Sequence, residues 1–223
     1  MWRCRRGGAS QAESQEGSWY RHAMTDALAQ EVMTLVDDGD VHRAVDLTLR
    51  RLGPEVCGYL AARMGGVDEV GDVFALWSVD VWNGLPSFKG HSSLRTWAYV
   101  LARHALARFH RDKKTQPFFG LDVDAEHSLR ELVQGVKTST AAFLKTEAKA
   151  SVRALRMQLR DDERELLMLR IDRQMEWTDV AQVMADDVDV DDEALRKKAA
   201  ALRKQFERTK TKLKKLAQRE GLL

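Results

Sequence analysis

Cysteine, proline and long apolar runs are all scarce in this sequence, and each scarcity removes a class of protein. Only two cysteines occur in 223 residues, Cys4 and Cys57. That is too few, and too widely spaced, for a disulfide framework or a metal knuckle, so a reducing cytoplasm is the expected location. No apolar run reaches the roughly eighteen residues a membrane-spanning helix needs, so none is expected. Residues 1–17 are polar and arginine-rich without an apolar segment, unlike a secretory leader. Three prolines and few alternating β-branched runs leave little to break helices or to build strands. An all-α fold follows. The sequence also lacks a P-loop, a His-Glu-x-x-His, a Gly-x-Ser-x-Gly and a Cys-x-x-Cys motif. Its six histidines (His22, His42, His91, His104, His110 and His127) make no short ligand pattern. No metal, cofactor or catalytic activity of its own is expected.

Charge is abundant and unevenly placed. The net formal charge is only +2. Yet Ala194–Arg219 holds eleven Lys/Arg against the single acid Glu207, and Leu94–Lys114 holds six against Asp112. Between them, Asp186–Glu193 carries six acids in eight positions. Either basic segment alone is equally well explained as a solvated helix face. Two of them far apart in one chain point to two contacts with a polyanion.

The periodicity predicts two small helical domains joined by a linker, the second a helix-turn-helix. Residues 1–23 read as a disordered extension or a start-site overcall, with Met24 the expected start. A first domain spans 24–114, a linker 115–150 and a second domain 151–223. In the first, Asp40–Leu52 places Val41, Ala44, Val45, Thr48, Leu49 and Leu52 on one stripe. Pro54 is expected to open a separate helix ending at Gly65-Gly66. A third helix covers Asp68–Asn83, and a fourth, capped by Ser92 or Ser93, runs from Leu94 to Asp112. In the second domain a helix is expected from Thr140 to Leu159. Asp161 or Asp162 should cap the next, through Ile171. A short helix Trp177–Met184, an acidic loop 186–193 and a basic helix Ala194–Gln218 follow.

The fourth helix has two faces on a helical wheel. Leu94, Trp97, Ala98, Leu101, Ala105 and Phe109 form the apolar one. Thr96, Tyr99, Arg103, Ala107, His110 and Lys114 form the other, expected to be exposed. Cations beside an aromatic ring suit an unstacked nucleic acid, neutralising phosphates and offering a surface to a displaced base. An ordinary wet face explains the same residues.

The stretch LPSFKGHSSLRTWAYVLARHALARFHRDKK, Leu85–Lys114, resembles regions 2.3 and 2.4 of the extracytoplasmic-function (ECF) subfamily of sigma-70 sigma factors. Phe88, Gly90, Ser93, Leu94, Arg95, Thr96, Trp97, Tyr99, Ala102 and Arg103 carry the match. The resemblance implies an RNA polymerase specificity subunit that recognises promoter −35 and −10 elements and assists melting. Phe88, His91, Tyr99, Arg103 and His110 are then the candidates for capturing −10 bases, with Trp97 a core anchor. DVFALWSVDVWNGLP, from Asp72, is similar to region 2.2, which docks on the polymerase β′ clamp. Asp72, Ala75, Val79 and Trp82 are the docking candidates there. Ala75-Leu76 replaces the usual Gln-Glu and Ser78 the usual Phe, so apolar contacts would stand in for polar ones.

LRDDERELLMLRIDRQMEWTDVAQVM, Leu159–Met184, resembles region 4, which also meets the polymerase β flap. Ala181 is small enough for close helix approach. The turn that follows is longer than the family's, or else DDEALRKK adds a helical turn before the recognition helix. Leu202, Phe206 and Thr209 should face inward. Arg203, Lys204, Glu207 and Arg208 should face the −35 element, with Arg203 and Lys204 foremost. Lys210, Lys212, Lys214 and Lys215 would meet phosphates or stay solvated. The implied partners are promoter DNA, core polymerase and an anti-sigma factor, with the free chain a monomer. An autonomous helix-turn-helix regulator and a helical adaptor that has lost DNA binding are the alternative readings.

Overall fold

The computed structural model describes residues 27–65, 69–111, 154–185 and 191–222. Regular structure among the described residues is entirely helical: α1 Ala27–Asp37, α2 Val41–Met64, α3 Val70–Gly84, α4 Leu94–Arg111, α5 Asp161–Leu167, α6 Trp177–Val183 and α7 Asp192–Arg219. The expected extension 1–23, linker 115–150, most of the helix 140–159 and five residues of the acidic loop, 186–190, lie outside the described residues.

The expected break before Pro54 does not occur, and α2 runs unbroken through it. Asp40 starts the helix by accepting from the Arg43 amide at 3.2 Å, and Gly65 stops it in the left-handed region at φ 73°. Proline removes one helical hydrogen bond, the one to the Arg50 carbonyl. Both residues lie on the exposed side of α2, where water can take that role. Gly53 has a packing reason. A Cβ there would stand 3.2 Å from the Phe74 ring of α3, so the Gly-Pro pair is a notch for a neighbour and not a helix boundary.

Helix α3 packs between α2 and α4. Val70, Val73, Phe74, Trp77 and Val81 are buried, and the Trp77 indole donates to the Ala98 carbonyl at 3.0 Å. α3 is therefore one-sided: Ala75, Leu76, Val79 and Trp82 on its other side are only partly buried. Ser93, not Ser92, caps α4, its hydroxyl accepting from the Thr96 amide at 3.0 Å.

In the C-terminal half, the N-cap of α5 is Arg160, ahead of both expected aspartate caps. Glu163 reaches back to accept the Arg160 amide at 2.9 Å. Asp161 and Asp162 instead occupy the first turn, where the helix dipole favours them. The helix continues as a π turn over Met168–Asp172, closed by the Arg173 amide on the Met168 carbonyl at 2.9 Å. Gln174 then turns the chain at φ 53°. Asp191 caps α7 through the Ala194 amide at 2.8 Å, which moves Asp192 and Glu193 from the expected loop into the first helical turn. Of the two readings of DDEALRKK, the structure has the extra helical turn.

Leu202 and Thr209 are buried and Phe206 partly so, with the Phe206 ring edge-on to Trp177 at 5.4 Å. Ala181 is fully buried beneath α7. The two halves do not form separate cores. Buried side chains of α1–α4 and of α5–α7 belong to one continuous cluster.

Candidate nucleic-acid interface

The residues expected to meet −10 bases fall into two groups. Phe88 follows a short 3-10 turn, Leu85–Ser87, and packs on Trp97 with ring centroids 5.2 Å apart. His91 and His110 are exposed, the latter edge-on to Phe109 at 6.0 Å. Trp97 packs against the core, as expected of an anchor, and is only partly buried.

Tyr99 and Arg103 form the second group, and here the helical-wheel expectation fails. Tyr99 is 1% exposed. Its hydroxyl donates to Glu55 at 2.9 Å, and its ring meets Tyr59 edge-on at 5.1 Å. Arg103 donates to the Ala185 carbonyl at 3.1 Å and stands 3.5 Å from Glu165. Thr96, also expected outside, is buried beside Ser93. The part of that face formed by Thr96, Tyr99 and Arg103 is thus covered, partly by α2 and partly by α5 and α6, while Ala107 and His110 stay exposed. A wheel drawn on one helix shows polarity, but it does not show that the polar groups have protein partners.

Those partners are residues that sequence patterning does not single out. Glu165 is 2% exposed. It accepts the Tyr59 hydroxyl at 2.5 Å and lies 3.5 Å from Arg63 and from Arg103. Arg63 also donates to the Asp161 carbonyl at 3.0 Å. A second cluster sits one turn away. Arg95 pairs with Glu55 and donates to the Arg173 carbonyl at 2.9 Å. Arg173 returns a bond to the Glu55 carbonyl at 3.2 Å. Burial works against ionising Glu55, but hydrogen bonds from Arg95 and Tyr99 and the charges of Arg95 and Arg173 outweigh it, holding its carboxyl below the usual range. Burial, then the Glu165 charge, pushes the Tyr59 phenol well above its ordinary value. The signal that could have found them is a carboxylate inside an apolar stripe: Glu165 beside Leu166, Leu167 and Leu169, and Glu55 beside Val56 and Tyr59.

On α7 the outward row is as expected. Arg203, Lys204, Glu207 and Arg208 are exposed, while Leu202 seats the helix on α6. The Arg203 guanidinium lies 5.7 Å from the Trp177 ring centroid, which limits the freedom of its stem. Glu207 pairs with Lys210 at 2.9 Å. Lys212 is neither free nor merely solvated, because it ties α7 to α5 through Glu163 at 2.8 Å.

On α3 the expected docking residues form a continuous outer strip. Asp72 is exposed and Ala75, Val79 and Trp82 are half-buried, with Trp82 edge-on to His42 at 4.6 Å. Among the described residues no cluster of His, Cys, Asp and Glu is placed to hold a metal ion. No described helix is long and apolar enough to cross a membrane.

Comparison with known proteins places these elements. The family described as Sigma-70 region 2 matches residues 48–116, which covers most of α2 and all of α3 and α4. The RNA polymerase sigma factor YlaC of Bacillus subtilis is 27% identical over 146 residues, 64% of this chain and 81% of that protein. The RNA polymerase sigma-H factor of Pseudomonas aeruginosa is 26% identical over 172 residues, 72% of this chain and 84% of that one. The second alignment is too long for the region 2 match alone to contain it. The chain therefore contains a sigma-70 region 2 domain at residues 48–116, and its similarity to these two RNA polymerase sigma factors over 64% and 72% of its length supports its place as an ECF-like member of the sigma-70 family.

Proposed function

We propose that the chain is a promoter-specificity subunit, which binds core RNA polymerase in the cytoplasm, reads the −35 and −10 elements and assists strand opening. The observation that carries this reading is the region 2 match over 48–116, within which α3 keeps an outward, half-apolar strip. Asp72, Ala75, Val79 and Trp82 offer that strip to the β′ clamp. Arg203, Lys204, Glu207 and Arg208 on α7 read duplex DNA in the major groove, where Arg and Lys can bond guanine edges as well as phosphates. The C-terminal half is the part that meets the β flap. Phe88, His91 and His110 handle the opened strand, whereas Tyr99 and Arg103 are already engaged by Glu55 and Glu165. The bond-making chemistry belongs to the polymerase, and the free chain is a monomer.

The test is transcription with purified components. Adding the chain to core polymerase should give run-off transcripts from its promoters, mapped beforehand by start-site sequencing after overproduction. Failure to co-purify with core polymerase would overturn the proposal. An autonomous regulator is the lesser reading, because it would shift specific duplex DNA without polymerase. An anti-sigma factor would be revealed by co-purification from the native host.

A further inference from the structure

Taking the α7 row as the duplex reader of the proposed function, we infer that Trp177 is a positioning residue for promoter recognition. It is a platform that holds the Arg203 guanidinium ready to read one guanine of the −35 element.

The row Arg203, Lys204 and Arg208 is exposed, yet its three cations are not alike. Among the described residues only Arg203 of the three meets a partner, the Trp177 indole, at 5.7 Å from guanidinium carbon to ring centroid. An unheld arginine must lose rotamer freedom before it can make two bonds to one base. A guanidinium drawn to an aromatic face has given up part of that freedom already. The contact also leaves the right atoms free. It uses the flat face of the guanidinium, whereas bonds to O6 and N7 of guanine come from its N–H edge. Both can exist at once. Lys204 and Arg208 suit phosphates, whose oxygens accept from many directions.

The platform is itself fixed. Trp177 is the first residue of α6, and its ring meets Phe206 edge-on at 5.4 Å. Phe206 stands three residues after Arg203, so the two are neighbours on the surface of α7. Arg170 lies 5.0 Å from the indole centroid and is tied to the backbone, donating to the Met175 carbonyl at 2.6 Å. The indole is thus held from α7 through Phe206 and from the turn before α6 through Arg170. Buried Ala181 and Leu202 already supply the core of the α6–α7 pair. Trp177 is only partly buried, at the rim of that pair, where it guides a side chain more than it fills a core.

The test has two arms. In the free chain, nitrogen relaxation of the Arg203 Nε–H group reports its motion. That group should be more restricted than its counterpart in Arg208, match it in Trp177→Leu, and recover in Trp177→Phe. With core polymerase, run-off transcription is compared on a promoter and on copies with each −35 base pair changed in turn. Arg203→Ala should lose about tenfold of the discrimination at one G·C pair. Trp177→Leu should lose about threefold at that same pair, and Trp177→Phe less. The double variant should discriminate no worse than Arg203→Ala alone. Trp177→Met, which fills more of the ring's volume without a π face, replaces Trp177→Leu should leucine unfold the pair. An Arg203 group as mobile as Arg208 in the wild type would overturn the platform. So would a loss spread equally over every −35 position, or one that persists in full once Arg203 is alanine, because the indole would then only seat α7. A wild type that gives no transcripts overturns the proposed function and this assignment together. Transcripts whose base preferences ignore Trp177 overturn this assignment alone.

Discussion

The Tyr59 hydroxyl donates to Oε1 of Glu165 at 2.5 Å, joining residues 106 positions apart in the chain. Tyr59 is fully buried and Glu165 nearly so. A charged acceptor makes the bond stronger than a neutral one, and its loss leaves a buried carboxylate with one donor fewer. Tyr59→Phe keeps the ring and removes only the donor. It is expected to lower stability by about 1–3 kcal/mol, measured as a shift in the urea midpoint with unchanged slope.

Acid should weaken the Glu55 cluster in a defined direction. The folded-state carboxyl titrates below its ordinary value of 4.5. The unfolded chain therefore binds a proton first as pH falls, and the stability Glu55 contributes is full above 4.5 and lost as pH drops through the lower folded value. Glu55→Gln should flatten this part of the acid limb. Thermal melts of both proteins between neutral pH and acid check it, and parallel curves would refute it.

Two tryptophans of α3 should respond oppositely. Trp77 is fully buried and bonded to Ala98, so Trp77→Ala should cost about 3–5 kcal/mol. Trp82 is half-buried and, among the described residues, its ring meets the edge of His42. Trp82→Ala should cost about 1 kcal/mol in stability yet reduce capture by core polymerase. Denaturation and a pull-down on the same two proteins separate the effects.

Along α7, Arg203→Ala with Lys204→Ala should abolish promoter selectivity in transcription and leave the fold intact, because both side chains are exposed. Lys214→Ala with Lys215→Ala should weaken duplex binding evenly across sequences. The dependence of log affinity on log salt should fall by about 0.9 for each phosphate that these lysines no longer neutralise. Fluorescence titrations at several salt concentrations provide the slope.

Gln174 occupies the left-handed region at φ 53°, where a side chain is disfavoured and glycine is not. It closes the turn between α5 and α6, helped by the Met175 amide on the Leu169 carbonyl at 3.1 Å. Gln174→Gly is expected to stabilise the protein by about 1 kcal/mol, seen as a raised denaturation midpoint.

Much of this was legible in the sequence because it depends on local chemistry. The approximate α3 and α4 bounds, a serine cap at 92 or 93 and the inward Leu202 and Thr209 follow from periodicity and capping rules that act over one or two turns. Pro54 misled because its effect depends on which side of α2 faces solvent. Tyr99 misled for a longer-range reason. Its burial depends on Glu55 and Tyr59 in α2, and the covering of its neighbour Arg103 on a C-terminal half remote in the chain. The sites for polymerase and DNA came from resemblance, and the partners of Arg103 came only from the fold.

The π turn at Met168–Asp172 has a consequence that lies in counting, not in chemistry. A π turn is an α-helix carrying one extra residue in a single turn. Removing one residue there would restore ordinary helix and rotate everything after it by about 100°. Arg173 would swing off Glu55 and Arg95 although no contacting side chain had changed. The register of the contact between α2 and the C-terminal half is therefore set by chain length at a place that touches neither DNA nor polymerase in the proposed assignment. A single-codon deletion there would unseat Arg173 from Glu55 and Arg95 and leave both binding surfaces chemically intact.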